Sequence, residues 1–245
     1  MRLHPTIRYI KHFLNPSSTY SQKNEDSVIN ILFNKVERFI DIGANNGITG
    51  SNTFMFALKG AKGLCFEPVK EIFDYLKILY LLNVKVQCIN EGISDKYNKF
   101  EIRVDGALSA ILETEDPVNK TCLKDFITKD TKTTEINVKP LTYYQELYPE
   151  FYNIDLLSID VEGHELNVIK GIDFSKTQIK SIILESLGGQ TTNYNSIEKI
   201  FISNKLIPVL TNQLNTIFIH KDLVDWPMIN EITFLYKEFK VIKTL

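Results

Sequence analysis

The strongest constraint on the fold is a set of short apolar runs that do not alternate. Residues 38–42 read RFIDI, 63–66 GLCF, 154–159 IDLLSI and 179–184 IKSIIL. A strand with one wet face alternates apolar and polar residues, whereas a strand covered on both faces is apolar nearly throughout. Helical spacing fills the intervals. Residues 25–36 place Val28, Ile31, Leu32 and Val36 on one face, and 69–83 and 195–205 repeat the pattern. Strands that alternate with helices predict an α/β fold, a mostly parallel sheet with helices on both faces. LIPVL (206–210) and TIFIH (216–220) read as a closing hairpin across TNQLN. KFEIRV (99–104) reads as an extra strand in a hairpin, and 113–134 as a polar loop.

The chain has 245 residues, of which 44% are hydrophobic, enough for one large domain with a sizeable core. The expected organisation is an N-terminal extension over 1–24 and a single domain over 25–245. A net charge of −2 argues against a general nucleic-acid partner. The first 24 residues carry Arg2, Arg8, Lys11 and Lys23 without any Asp or Glu. That arm reads as solvated, or as an attractor for an anionic, phosphate-linked substrate. Cys65, Cys88 and Cys122 lack metal or disulfide spacing and read as small buried hydrophobes. No segment is apolar and long enough for stable membrane insertion, so a cytoplasmic location is expected. No sequence feature sets an oligomeric state.

The run at 38–42 continues into GANNG (43–47), two glycines and two asparagines after a strand that carries Asp41. In a parallel sheet, ligands bind beyond the carboxyl ends of the strands. Gly43 and Gly47 permit a sharp turn and close approach of a ligand to the backbone. The second strand ends at Glu67, where an acid can accept hydrogen bonds from both hydroxyls of a ribose. Dinucleotide sites carry G-x-G-x-x-G under a pyrophosphate. A carboxylate at Asp41 suits a cationic ligand instead. S-adenosylmethionine has an ammonium, a sulfonium and a ribose.

Four stretches now carry a resemblance: FIDIGANNG (39–47), GLCFEP (63–68), LLSIDVEGHE (156–165) and IILES (182–186). With YSQKNED (20–26) and SNTF (51–54), the chain resembles the FkbM-type S-adenosylmethionine-dependent methyltransferases over roughly 20–220. The resemblance implies the class I methyltransferase (Rossmann-like) fold, a seven-stranded sheet whose last strand is antiparallel. LIPVL would then be the edge strand, which suits Pro208, a residue with no N–H for a ladder. The expected cofactor contacts are Asp41, Gly43, Ala44, Asn45, Gly47, Ser51, Glu67 and Pro68, with Ser94 and Asp95 at the adenine edge. Ser158 stands where the family often has lysine, and Ser109 falls where it often has serine near the site.

The family implies methyl transfer, commonly to a hydroxyl of a sugar or another small metabolite. The expected acceptor is therefore a small molecule or glycan precursor. Such a reaction needs an aligned acceptor and often a base for its proton. Asp160, Glu162, His164 and Glu185 are the candidates. His164 has the unperturbed pKa that suits a base near neutrality. Asp160 can equally be a helix cap, and Glu162 and Glu165 partners of the helix dipole. Carboxylates suit Mg²⁺, but no dedicated cage is visible and no metal is predicted. Tyr143, Tyr144, Tyr148 and Tyr152 read as core packing ahead of sugar stacking. Two alternatives stand: a methyltransferase for a protein or nucleic-acid nitrogen, and a catalytically silent S-adenosylmethionine-binding module. The balanced charge and the absence of an Asn-Pro-Pro-Tyr-type motif weigh against the nucleic-acid version of the first. Intact Asp41, Gly43, Glu67, Asp160 and Glu162 weigh against the second.

Overall fold

The computed structural model describes residues 4–104, 110–111, 132–189, 191 and 193–242. Ser109, Cys122 and most of the 113–134 segment lie outside the described residues. The strands are β1 (Arg38–Ile42), β2 (Lys62–Phe66), β3 (Val86–Ile89), β4 (Gly92–Ile93), β5 (Asn98–Arg103), β6 (Ala110–Ile111), β7 (Thr133–Lys139), β8 (Asn153–Ile159), β9 (Gln178–Glu185), β10 (Leu206–Thr211), β11 (Asn215–His220) and β12 (Lys240–Val241). The α-helices are α1 (Pro5–Leu14), α2 (Glu25–Leu32), α3 (Phe54–Leu58), α4 (Lys70–Leu79), α5 (Leu141–Leu147), α6 (Glu165–Lys170), α7 (Tyr194–Ser203) and α8 (Trp226–Leu235).

The main sheet runs β12-β10-β11-β9-β8-β1-β2-β3. From β9 to β3 all neighbours are parallel, while β11 lies antiparallel between β9 and β10. This is the class I methyltransferase order, with one strand beyond the expected seven. The extra strand, β12, pairs with Leu210 and Thr211 only. It stops short of Pro208, which has no N–H to offer on that edge. A second sheet, β4-β7-β5-β6, lies outside the expected set. The expected hairpin is β5 with β6, and β7 pairs antiparallel along all of β5.

Both faces of the main sheet are covered, which accounts for the apolar runs. Phe39, Cys65, Leu156 and Ile183 pack against α2, α3, α4 and α8 through residues such as Ile29, Phe56, Leu79 and Ile232. Ile40, Leu64, Leu157 and Ile182 pack on the other side with Leu141, Tyr144, Val168 and Phe201 of α5, α6 and α7. Tyr144 stacks edge-on against Phe66, consistent with core packing of that segment. Where a solvated arm was expected, residues 5–14 form α1 against α4. Tyr9 is buried there, and its hydroxyl accepts from Asn83 at 2.9 Å.

At the amino ends of the central strands, buried Asp155 joins three neighbours. Its Oδ2 accepts the N–H groups of Glu37 and Arg38 at 2.8 and 2.9 Å, and Lys180 lies 2.7 Å from Oδ1. Burial opposes the charge, but Lys180 and the two N–H donors outweigh it and hold the carboxyl below the usual aspartate range. The folded pKa is lowered, so this stabilisation is present above the ordinary value of 3.8 and is lost as pH falls through the lowered one. Asp155→Asn should destabilise the fold by about 1–3 kcal/mol at neutral pH. The gap to wild type in urea denaturation should narrow at acid pH. Equal stabilities at neutral pH would remove Asp155 from this role.

Candidate active site

Four adjacent parallel strands end in an acid at one edge of the sheet. Glu185 is the last residue of β9, Asp160 follows β8, Asp41 is the penultimate residue of β1, and Glu67 follows β2. All four line a cavity of about 400 Å³. The loop after β1 forms its floor, and here the asparagines find their use. The Asn45 N–H donates to Glu67 at 3.0 Å, and Asn45 Oδ1 accepts the N–H of Asn46. Asn46 Oδ1 accepts from Ile48 and Thr49, both at 2.9 Å. The loop thus satisfies several of its own backbone donors, while the N–H groups of Gly43 and Ala44 go to the Phe66 carbonyl and that of Asn45 grips the acid of the next strand.

The two glycines differ. Gly43 has φ +87°, and a Cβ on it would sit 1.8 Å from the carbonyl oxygen of Asp160, so only glycine permits β1 and β8 to end this close together. Gly47, also expected at the cofactor, faces away from the cavity. With φ +74°, its missing side chain leaves room for Leu76 and Leu79 of α4. Its place is a turn packed on a helix.

Of the other expected contacts, Ala44, Asn45, Ser51 and Pro68 line the cavity. Ser51 Oγ also accepts from the N–H of Phe54 at 3.1 Å. Ser94 and Asp95 do not line it: Asp95 is exposed, and buried Ser94 turns its hydroxyl to His164. That end of the cavity is closed instead by Val69, Ile93, Ile102, Ile136 and Val138, partly from the second sheet. Gln22, far upstream, joins the wall beside Gly50, where Ser21 bridges to Gly50. Buried Asp26 holds this segment by accepting from Tyr20 N–H at 2.7 Å and from Thr19 and Ser21 hydroxyls.

Asp41 is buried and accepts from Thr53 Oγ1 at 2.6 Å. Ser158 hydrogen-bonds it too, so hydroxyls stand where a lysine was the alternative. Burial nevertheless pushes Asp41 up to about 6. Glu67 takes the N–H of Val69 on Oε1 at 2.8 Å and that of Asn45 on Oε2. Each oxygen keeps a lone pair for a further donor. Burial drives Glu67 up to about 7.

Asp160, Glu162 and Glu185 bring carboxylate oxygens within 4.8 Å of one another, the one such group among the described residues. Oxygen donors at that spacing could hold a divalent cation, a gathering that the sequence spacing concealed. Burial, then repulsion by Asp160, Glu162 and Glu165, raises Glu185. It keeps a proton and hydrogen-bonds Asp160. Glu162 is pushed up to about 7, first by burial and then by Asp160. Its φ of +53° places a non-glycine residue in the left-handed region, a strain found where side-chain placement matters. Glu165, outside the cavity lining, accepts the Gly163 N–H at 2.9 Å and anchors that turn. His164 lines the cavity, but burial lowers it to about 4. It is neutral and weakly basic, with Nε2 3.0 Å from Ser94 Oγ. That corrects the premise that its pKa suits a base near neutrality.

The family model of the methyltransferase FkbM domain matches residues 41–204. No curated protein matches the chain. Among solved structures it is similar to the methyltransferase FkbM from Methylobacillus flagellatus KT, at 14% identity and TM-score 0.47, over 75% of this chain and 43% of that one. The chain therefore spans less than half of that protein. It is also similar to a putative O-methyltransferase from Klebsiella pneumoniae, at 11% identity and TM-score 0.45, over 90% and 91% of the two chains. A methyltransferase from Geobacter sulfurreducens gives 8% identity and TM-score 0.45, over 90% of each chain.

The cavity acids make stability depend on pH. Asp41, Glu67 and Glu162 have folded pKa values raised to about 6, 7 and 7 from 3.8, 4.5 and 4.5. The folded protein holds protons that the unfolded chain has released, so stability is full below the ordinary values and falls as pH rises through the raised ones. Ligand-free protein should have a lower urea midpoint at pH about 8 than at about 5. Glu162→Gln should flatten part of that slope. A midpoint that rises across this window would contradict the raised values.

Proposed function

The chain belongs to the FkbM family of S-adenosylmethionine-dependent methyltransferases, and we propose that its acceptor is a hydroxyl of a sugar or glycan precursor. The observation that carries this reading is the convergence of Asp160, Glu162 and Glu185 at the cavity. Carboxylates grouped in this way suit an acceptor with several hydroxyls, each a donor to them. They also suit removal of a proton from one hydroxyl.

The residues of the cavity fit the cofactor. We assign Glu67 to the ribose, since both its oxygens retain a lone pair. Asp41 would face the cationic end. The apolar end, with Val69, Ile102, Ile136 and Val138, suits an adenine ring, so these residues replace Ser94 and Asp95 in our assignment. Gln22, Ser51 and Asn45 line the remaining wall. When bound, S-adenosylmethionine supplies a methyl group on a sulfonium, open to in-line attack by an oxygen.

The acids then divide the work. Glu185 holds a proton and shares it with Asp160, so this pair carries one negative charge to orient the acceptor. Glu162, with a pKa near neutrality, receives the proton of the attacked hydroxyl. Catalytic pKa values near the working pH are the efficient ones. His164 is held in the cavity wall by Ser94 and Asn167 and is a positioning residue.

Glu67→Ala should weaken S-adenosylmethionine binding by about 1.5–3 kcal/mol per lost charge-assisted hydrogen bond, read by calorimetry. Unchanged affinity would free Glu67 of the ribose. Glu162→Gln and Asp160→Asn should leave that affinity nearly intact and lower turnover by about 10²-fold or more. His164→Gln should retain most of it. The acceptor class is tested with labelled cofactor and panels of sugars, peptides and oligonucleotides. Label in a sugar ether supports the proposal, and label only on a peptide or base nitrogen overturns it.

A further inference from the structure

We propose that α1 and the loop after α4 form a surface that docks, reversibly, on a membrane rich in anionic lipid. The inference is independent of the acceptor proposed above. The outer face of α1 carries Ile7, Ile10, Phe13 and Leu14, and the loop carries Leu81, Leu82 and Val84. These seven side chains are between 41% and 85% exposed. They belong to one region. Thr6 donates to the carbonyl of Ile78 at 3.1 Å, and Asn83 donates to Tyr9 at 2.9 Å, so helix and loop lie side by side. The inward residues are already used: Tyr9 is buried, and Arg8 donates to Tyr75 at 2.6 Å. Phe13 stacks its ring on Tyr9 with centroids 6.4 Å apart, and the rest of the outward face stays exposed. A grouping of this size on a soluble surface marks an interaction site.

The charges around the patch choose the occupant. Lys11, Lys77 and Lys85 are exposed on or beside it. Residues 1–24 contain no acid, and the acids of α4, Asp74 and Glu71, are held by Lys70 and Lys132. A second copy on this face would set lysines against lysines. A bilayer with anionic headgroups meets both halves of the pattern. Apolar side chains enter the boundary between headgroups and acyl chains, and lysines face the phosphates. Among the described residues no helix is long and apolar enough to cross a membrane, so the contact is peripheral.

The test is co-sedimentation of the full chain with vesicles of phosphatidylcholine mixed with phosphatidylglycerol, against phosphatidylcholine alone. Binding should favour the anionic vesicles and weaken as salt screens the lysines. The double variant Phe13→Ser, Leu14→Ser should lower the partition coefficient about tenfold or more. Lys11→Glu should weaken binding to anionic vesicles alone. Both variants alter exposed residues, so melting temperature and S-adenosylmethionine affinity should stay at wild-type values. Failure of the folded wild type to sediment with anionic vesicles overturns the proposal. So does self-association in analytical ultracentrifugation that the double variant abolishes without any vesicle binding, which would give the face to a second copy.

Discussion

Parallel pairing decides where the acids of this protein meet. Because β9, β8, β1 and β2 are neighbours and run the same way, a carboxylate at the carboxyl end of each arrives at one edge of the sheet. Burial pushes each of them towards its neutral form, and Glu162 and Glu185 are raised further by Asp160; the bond from protonated Glu185 to Asp160 relieves only part of this. The assembly is held by the apolar layers that cover both faces and by bonds made elsewhere, such as Asp155 with Glu37, Arg38 and Lys180. A stable sheet thus imposes an unfavourable edge, and that edge is the candidate site.

The loop from Gly43 to Thr53 shows how the backbone tolerates such an edge. Asn45 and Asn46 satisfy neighbouring N–H groups, Ser51 accepts from Phe54, and Thr53 turns its hydroxyl onto Asp41. The N–H groups of Gly43 and Ala44 leave this internal set to donate to the Phe66 carbonyl, and that of Asn45 leaves it to hold Glu67. The loop therefore ties β1 to β2 at the point where a ligand would lie between their acids. An acid gripped by a backbone donor cannot swing away, so its remaining lone pairs keep a fixed direction.

What the sequence revealed was local. An apolar run that ends in an acid, followed by a glycine loop, is contained in a few consecutive residues, and Asp41, Gly43, Glu67, Asp160 and Glu185 are legible in that way. The apolar wall of Ile102, Ile136 and Val138 is not. It exists only because β5 pairs with β7 across the whole of residues 104–132, and no spacing announces that pairing. Gln22 reaches the cavity through a bridge between Ser21 and Gly50, again a long-range contact. Gly47 misled because a glycine in a ligand loop and one packed beneath a helix look alike in sequence. His164 misled because its ordinary pKa is a property of water, and the residue is buried beside Phe100.

The same burial that costs the ligand-free protein stability shapes how it receives a cation. On the proposed assignment, the positively charged end of the ligand favours the ionised form of Asp41, and ribose hydroxyls favour the carboxylate of Glu67. Ligand and protons therefore oppose each other at these two acids, and the charge and hydroxyls of the ligand offset part of the desolvation that the ionised acids meet in the fold. The acids proposed to meet the acceptor are placed differently. Glu185 retains its proton through Asp160 close by, so the group as a whole stays short of full charge. On the proposed function, a neutral hydroxyl then approaches without meeting three bare carboxylates, and Glu162 is the acid that takes its proton. The proposed division into acids that meet a cation and acids that meet a hydroxyl matches their order along the sheet: β1 and β2 on one side, β8 and β9 on the other.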